Sequence, residues 1–283
     1  EYEYFYNKLR ETFVRVLPRY FRGNQQIAIS LTGGLDTRML MANSVLPPGK
    51  YPCYTFASIY RDCNDVKVAR KVAEATGQTH HAIPVDQSFL RYFSDHAEKT
   101  VYVTDGYLDV GGSPEIFVNR IAREIAPVRM TGNYGSEVLR NIRWLKAGKV
   151  NEGIFSPDLN THIHATSNTL DKIHDTVTNP LTFTLFVETP WWGNNRLVSE
   201  QSQLTLRAPY LDNDFIALMY RAPMGARDSK DISLRLIKDG NPALHAIPTD
   251  RGYGGSHKFP FSIAGRLYHE FCFKAEYAYN YGM

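Results

Sequence analysis

The chain has 283 residues, 43% hydrophobic and 22% charged, which suits one large α/β domain or two small ones. A net charge of +3 does not by itself imply a nucleic-acid partner, and three cysteines without C-x-x-C spacing suggest neither a zinc site nor a disulfide framework. No run of 18 apolar residues and no signal peptide is visible, so a cytoplasmic protein with no membrane partner is expected.

In chain order, residues 2–20 carry Tyr6, Leu9, Phe13, Val14, Val16 and Leu17 at near-helical spacing among Lys8, Arg10, Arg15 and Arg19. That pattern predicts an amphipathic helix with a solvated basic face. Ile27 to Leu31 is a short apolar, branched run and reads as a buried strand. Thr32-Gly33-Gly34-Leu35-Asp36-Thr37 follows, and Arg38 to Ala42 then reads as a helix start. Strand, glycine turn, helix is the geometry that aims backbone N–H groups and a helix dipole at a phosphate. Hydroxyls of Ser30, Thr32 and Thr37 add donors, and Asp36 offers a carboxylate for Mg²⁺. No Gly-Lys-Ser/Thr follows the glycines, so this is not a Walker A loop.

After a break at Pro47-Pro48-Gly49, Tyr51 to Ala57 reads as a second strand. Residues 65–76 form a predicted helix with Val66, Val68, Ala69, Val72 and Ala73 on its buried side, ended by Gly77, and His81 to Val85 is a third strand. Adjacent His80 and His81 point to opposite faces of a strand and do not share a metal. Residues 114–125 read as a helix, and Pro127 to Thr131 as a strand entering a second glycine turn, Gly132-Asn133-Tyr134-Gly135-Ser136-Glu137. Strands alternating with helices predict a parallel sheet, in which both turns face one crevice at the carboxyl ends of the strands, where Asp36 and Ser58 also fall. Beyond residue 145 helical spacing dominates, from Ile173, from Leu204, over Phe215 to Tyr220 and over Ile232 to Ile237. The predicted fold is therefore α/β: a parallel twisted sheet with flanking helices over residues 1–145, followed by a mostly helical part over 146–283.

The loop Thr32–Thr37 resembles the S-G-G-x-D-S pyrophosphate loop of the N-type ATP pyrophosphatases, with Thr at both serine positions. With it, in order, come Tyr54-Thr-Phe-Ala-Ser58, Asp65 to Gly77, His80-His81, Thr131-Gly132 to Glu137, Leu206-Arg-Ala-Pro-Tyr-Leu-Asp212, Ser233-Leu-Arg-Leu-Ile237 and Ile247 to Gly252. The ordered set resembles the synthetase domain of asparagine synthetase, whose relatives include β-lactam synthetase and the lasso-peptide macrolactam ligases. The resemblance implies a fold of the adenine nucleotide alpha-hydrolase type. It also implies ATP and Mg²⁺ as cofactors, a small-molecule carboxylate substrate, and ammonia or an amine as acceptor. By the same resemblance Thr32, Gly33, Gly34, Asp36 and Thr37 hold the pyrophosphate, Leu31 and Phe56 to Ser58 meet the adenine, and Ser30 and Gly132 complete the cofactor-binding candidates. Asp36 and Glu137 would hold the metal, and Tyr134 in the second turn is a catalytic candidate.

Two departures from the family pattern stand out. Its acidic turn runs G-x-G-S-D-E; reading Asn133 as an insertion sets Gly135-Ser136-Glu137 on Gly-Ser-Asp and makes Glu137 the acid. Its late lysine lies in an R-x-K setting, where this chain has Arg251-Gly252-Tyr253 with Lys258 nearby, so Arg251 and Lys258 are the candidates to stabilise an adenylate. The family's glutaminase domain is not expected in this chain, which starts at Glu1 and reads as a fragment, leaving the amine donor as a missing or separate protein. Two functions are carried forward. One is an AMP-forming amide ligase. The other is a nucleotide-binding or partner-docking module of a biosynthetic assembly, with self-association left open.

Overall fold

The computed structural model describes residues 1–58, 62–145, 153–255 and 261–281. The elements run α1 (Tyr2–Tyr20), β1 (Ile27–Ser30), α2 (Asp36–Ala42), β2 (Cys53–Ser58), α3 (Asn64–Ala75), β3 (His80–Val85), α4 (Gln87–Arg91), α5 (Phe93–Val103), α6 (Ser113–Ile125), β4 (Val128–Met130) and α7 (Gly135–Arg140). There follow α8 (Pro157–Thr176), α9 (Pro180–Phe183), a π-helical segment (Thr184–Gly193), α10 (Asn194–Gln201), β5 (Thr205–Arg207), α11 (Asn213–Met219), α12 (Asp231–Gly240), α13 (Pro242–Ala246) and α14 (Phe261–Tyr281).

The five strands form one parallel sheet in the order β3-β2-β1-β4-β5. The order reverses between β1 and β4, so the crevice for a ligand opens at their carboxyl ends. Side chains alternate across the sheet as period two requires. Ile27, Ile29, Leu31, Val128 and Met130 join the core under α1, α2, α3, α11 and α12, while Ala28 and Tyr54 join Phe89, Phe117, Val118 and Ala122 of α4 and α6 on the other face.

The predicted α/β class and the helical later part match this architecture, and the predicted strands and helices of residues 2–131 lie within two residues of the observed ones. One stretch differs. Helical spacing suggested a helix from Leu204, yet Thr205–Arg207 is the outer strand β5, paired with β4 through Thr205–Val128, Leu206–Arg129 and Arg207–Met130. Three residues are too few to display a period, and pairing to β4 decides the conformation. The basic face of α1 is solvated but paired: Lys8 meets Glu11, while Arg15 and Arg19 meet Asp214. Exposed His81 and half-buried His80, whose Nε2 lies 2.8 Å from the Thr55 hydroxyl, separate as the strand pleat requires. Among the described residues no helix is long and apolar enough to cross a membrane.

Candidate functional site

A cleft of about 520 Å³ opens at the switch point. Ser30, Leu31, Thr32, Asp36 and Thr37 of the first turn form one wall, and Thr131, Gly132, Asn133, Tyr134, Ser136 and Glu137 of the second form the opposite one. Thr55 and Phe56 of β2, with Arg129 of β4, line the inner end, and Trp144, Glu188, Thr189, Gly193, Arg196 and Leu197 the outer rim.

The first turn is fixed mainly through its backbone. The Gly33 N–H donates to the Asp65 carboxylate (2.7 Å), and the Gly33 carbonyl accepts from the Arg38 guanidinium and the Asp250 N–H, both at 3.2 Å. Thr37 Oγ1 donates to the Ser30 carbonyl (3.0 Å), and the Tyr210 hydroxyl donates to the Asp36 carbonyl (2.7 Å). No side chain caps α2, so its first N–H groups face the turn with the helix dipole behind them. Burial, helped by nearby Asp250, pushes the Asp65 carboxyl up to about 6, against the pull of the Gly33 N–H. The Arg38 side chain, only 2% exposed, also donates to the Leu244 and Ile247 carbonyls, and burial lowers it to about 10.

The second turn comes so close to the first that glycine is required at two points. A Cβ on Gly132 would stand 2.7 Å from the Thr37 amide nitrogen, and one on Gly135 would stand 2.7 Å from the Asp36 carboxyl. Between them Tyr134 adopts a left-handed φ of 69° and sends its ring into the cleft, where burial pushes its phenol up to about 12. Both oxygens of Asp36 accept from the fork of Arg140, at 2.8 and 3.0 Å, and Arg140 also donates to the Ser233 hydroxyl at 3.0 Å. Burial pushes the Asp36 carboxyl above its ordinary range, with Arg140 pulling the other way. Glu137 accepts from the Ser136 hydroxyl (2.7 Å) and the Trp144 indole N–H (2.6 Å).

Under the inner end, Arg129 pairs with Glu200 at 3.3 Å and donates to Asn119 Oδ1 at 2.9 Å, its guanidinium 5.6 Å from the Phe56 ring centre. Burial raises the Glu200 carboxyl. At the rim the Glu188 carboxylate accepts from the Trp144 and Leu145 N–H groups.

Of the residues singled out in the sequence, Ser30, Leu31, Thr32, Asp36, Thr37, Phe56, Gly132, Tyr134 and Glu137 therefore meet in one cleft. Gly33 and Gly34 form the turn behind it, the Gly34 N–H pointing to Thr32 Oγ1 at 3.3 Å, and Ser58 ends β2 beyond Phe56. The Arg251 guanidinium lies 4.2 Å over the Phe273 ring of α14 rather than on the cleft wall, and Lys258 lies outside the described residues. Asp65, Arg129, Arg140, Glu188 and Arg196 were not singled out. A charged residue inside the strand Pro127 to Thr131 and an acid opening the helix after β2 were the available signals for Arg129 and Asp65.

The model of the asparagine synthase family matches residues 8–239, which includes every strand and both turns. The chain belongs to the asparagine synthase family. It is also 26% identical over 162 residues to the protein named asparagine synthetase [glutamine-hydrolyzing] 3 of Bacillus subtilis (strain 168), an alignment covering 51% of this chain and 26% of that relative. The chain thus spans about a quarter of the curated relative it matches.

This family domain offers fitting groups for a nucleotide: apolar Leu31 and Phe56 for a base, hydroxyls and uncapped helix N–H groups for phosphates. The donor set for Mg²⁺ is different. A Mg²⁺ ion is held by carboxylates in octahedral order, whereas both Asp36 oxygens are taken by the cationic fork of Arg140, and Glu137 is tied to Ser136 and Trp144. Among the described residues no group of three or more His, Cys, Asp or Glu side chains is set to hold a metal. As arranged, the pair does not fit the ion.

Proposed function

We propose that this domain binds ATP in the cleft between the two glycine turns and adenylates a small-molecule carboxylate for attack by ammonia or an amine. The observation that carries this reading is the convergence of the Thr32–Thr37 loop, Phe56 and the Gly132–Glu137 turn on one cleft at the sheet's switch point. Leu31 and Phe56 would flank the adenine, the hydroxyls of Ser30 and Thr32 with the N–H groups opening α2 would receive the pyrophosphate, and Thr37 would join them on exchanging its bond to the Ser30 carbonyl. A substrate carboxylate oxygen would attack the α-phosphorus, the bond to the bridging oxygen would break, and pyrophosphate would leave with its new charge held by those preorganised donors. The amine nitrogen would then attack the acyl carbon, AMP would leave, and the amine proton would pass to a base at the cleft. Asp65 anchors the loop through the Gly33 N–H rather than taking part in either transfer.

ATP–pyrophosphate exchange across a panel of carboxylates, aspartate first, tests the reading. Exchange that Thr37→Val reduces is the expected result, and absence of exchange with every carboxylate in a protein that binds ATP would leave nucleotide binding without adenylation. A second reading, a nucleotide-binding module, draws support from one feature: the Asp36 carboxylate is spent on Arg140.

A further inference from the structure

Arg140 is placed as a cation built into the protein at the carboxylate where the loop would hold a metal. Its two terminal nitrogens take one Asp36 oxygen each, and the Ser233 hydroxyl of α12 takes a third contact. Ser233 is fully buried and the Arg140 side chain is 9% exposed, so the fork sits in protein rather than swinging in solvent. Gly135 closes another side of the carboxyl, with no space there for even a methyl group. A divalent ion on Asp36 would have to displace the fork or sit beside a guanidinium, where like charges in a partly dry site repel strongly. Asp36 faces the cleft, whereas Arg140 stands behind it.

We propose that Arg140 takes the place of a divalent cation on Asp36, so that a nucleoside polyphosphate is held in this cleft without a metal at that carboxylate. The polyphosphate half of the proposal rests on the nucleotide reading above; the exclusion of metal from Asp36 does not. With its charge balanced internally, Asp36 no longer repels the phosphates, and the cation that offsets it is lost only by mutation, not by chelation.

Mn²⁺ binding to the nucleotide-free chain, followed by electron paramagnetic resonance, tests the exclusion directly. The wild type should show no Mn²⁺ site that depends on Asp36, so that Asp36→Asn leaves its titration unchanged. Arg140→Met, or Arg140→Gln should the first variant not fold, should tighten Mn²⁺ binding at least about tenfold. A wild-type site abolished by Asp36→Asn, or unchanged binding in a folded Arg140 variant, overturns the proposal. Calorimetric titration with ATP in EDTA and in Mg²⁺ tests the second half. Wild-type affinities should agree within about threefold, and Mg²⁺ should strengthen binding to the Arg140 variant about tenfold. If Mg²⁺ strengthens wild-type binding tenfold the proposal is overturned. If the folded wild type binds no ATP in either buffer, the nucleotide reading and the polyphosphate half fall together, while the Mn²⁺ titration still decides what Arg140 does.

Discussion

The two glycine turns leave neighbouring strands of one sheet, yet they are not held alike. The first is clamped from behind through its main chain: Gly33 at both its N–H and its carbonyl, Ser30 by Thr37, and Asp36 by Tyr210. The second is held in part through its main chain as well, Arg227 reaching the Glu137 and Val138 carbonyls, but it adds bonds of its own side chains, with Glu137 between Ser136 and Trp144. The clamps on Gly33 and Asp36 come from residues outside the turn, and they leave Thr32 on the cleft wall. Side-chain bonds can be exchanged one at a time. The second turn therefore carries exchangeable side-chain bonds of its own that the first largely lacks.

Removing the clamp should have the largest effect. Arg38→Met strips donors from three carbonyls, those of Gly33, Leu244 and Ile247, inside the protein. The Gly33 carbonyl keeps the Asp250 N–H, and the two acceptors left bare cost on the order of 1–3 kcal/mol each, so urea unfolding should show a loss of about 3 kcal/mol. A loss below about 1 kcal/mol would mean that the turn is held by something other than this guanidinium. Next comes the contact between the turns. In Gly132→Ala the new methyl meets the Thr37 backbone nitrogen, which cannot rotate away, so about 1–3 kcal/mol of stability should be lost together with the register of the turn. ATP affinity measured on the folded variant should fall with it; unchanged affinity would show that the first wall keeps its shape without the second.

Asp65 gives the comparison a pH axis. Its folded pKa of about 6 lies above the ordinary value of 3.8, so between those values the folded protein binds more protons than the unfolded chain. Stability then falls as pH rises from about 4 to about 6, by on the order of 3 kcal/mol, and is flat above. Asp65→Asn can still accept from the Gly33 N–H and should remove that part of the slope. Other buried acids, Asp36, Asp250 and Glu200, titrate in both proteins, so the difference between the two curves is the quantity to measure. Parallel curves would sink this assignment.

Both turns were legible, and the first was the more local of the two. Ile27 to Leu31, the paired glycines and the helix start lie within sixteen consecutive residues, and local spacing was enough to read them as a unit. The parallel sheet followed from alternation, which needs only segment lengths. What sequence did not disclose are meetings between distant residues: Arg140 is 104 positions from Asp36, and Arg38 reaches carbonyls 206 and 209 positions away. No local pattern specifies such pairs; tertiary packing does. Strand β5 was missed for a related reason, since its three residues are strand only because β4 lies beside them. Arg129 was the intermediate case, a charge inside an apolar strand whose partners Asn119 and Glu200 lie on α6 and α10.

The smallest effect should come from the second wall. In Trp144→Phe the Glu137 carboxylate loses one donor but keeps the Ser136 hydroxyl, and the ring, 54% exposed, stays at the rim. Water replaces the lost N–H at such a site, so unfolding free energy should change by less than about 0.5 kcal/mol. The main-chain bonds from Trp144 and Leu145 to Glu188 do not depend on the indole and should keep the segment in place. A loss near that of Arg38→Met would mean that the second turn is as tightly determined as the first. The two walls would then differ only in which atoms do the holding, and the cleft would have no adaptable side with which to close on a substrate.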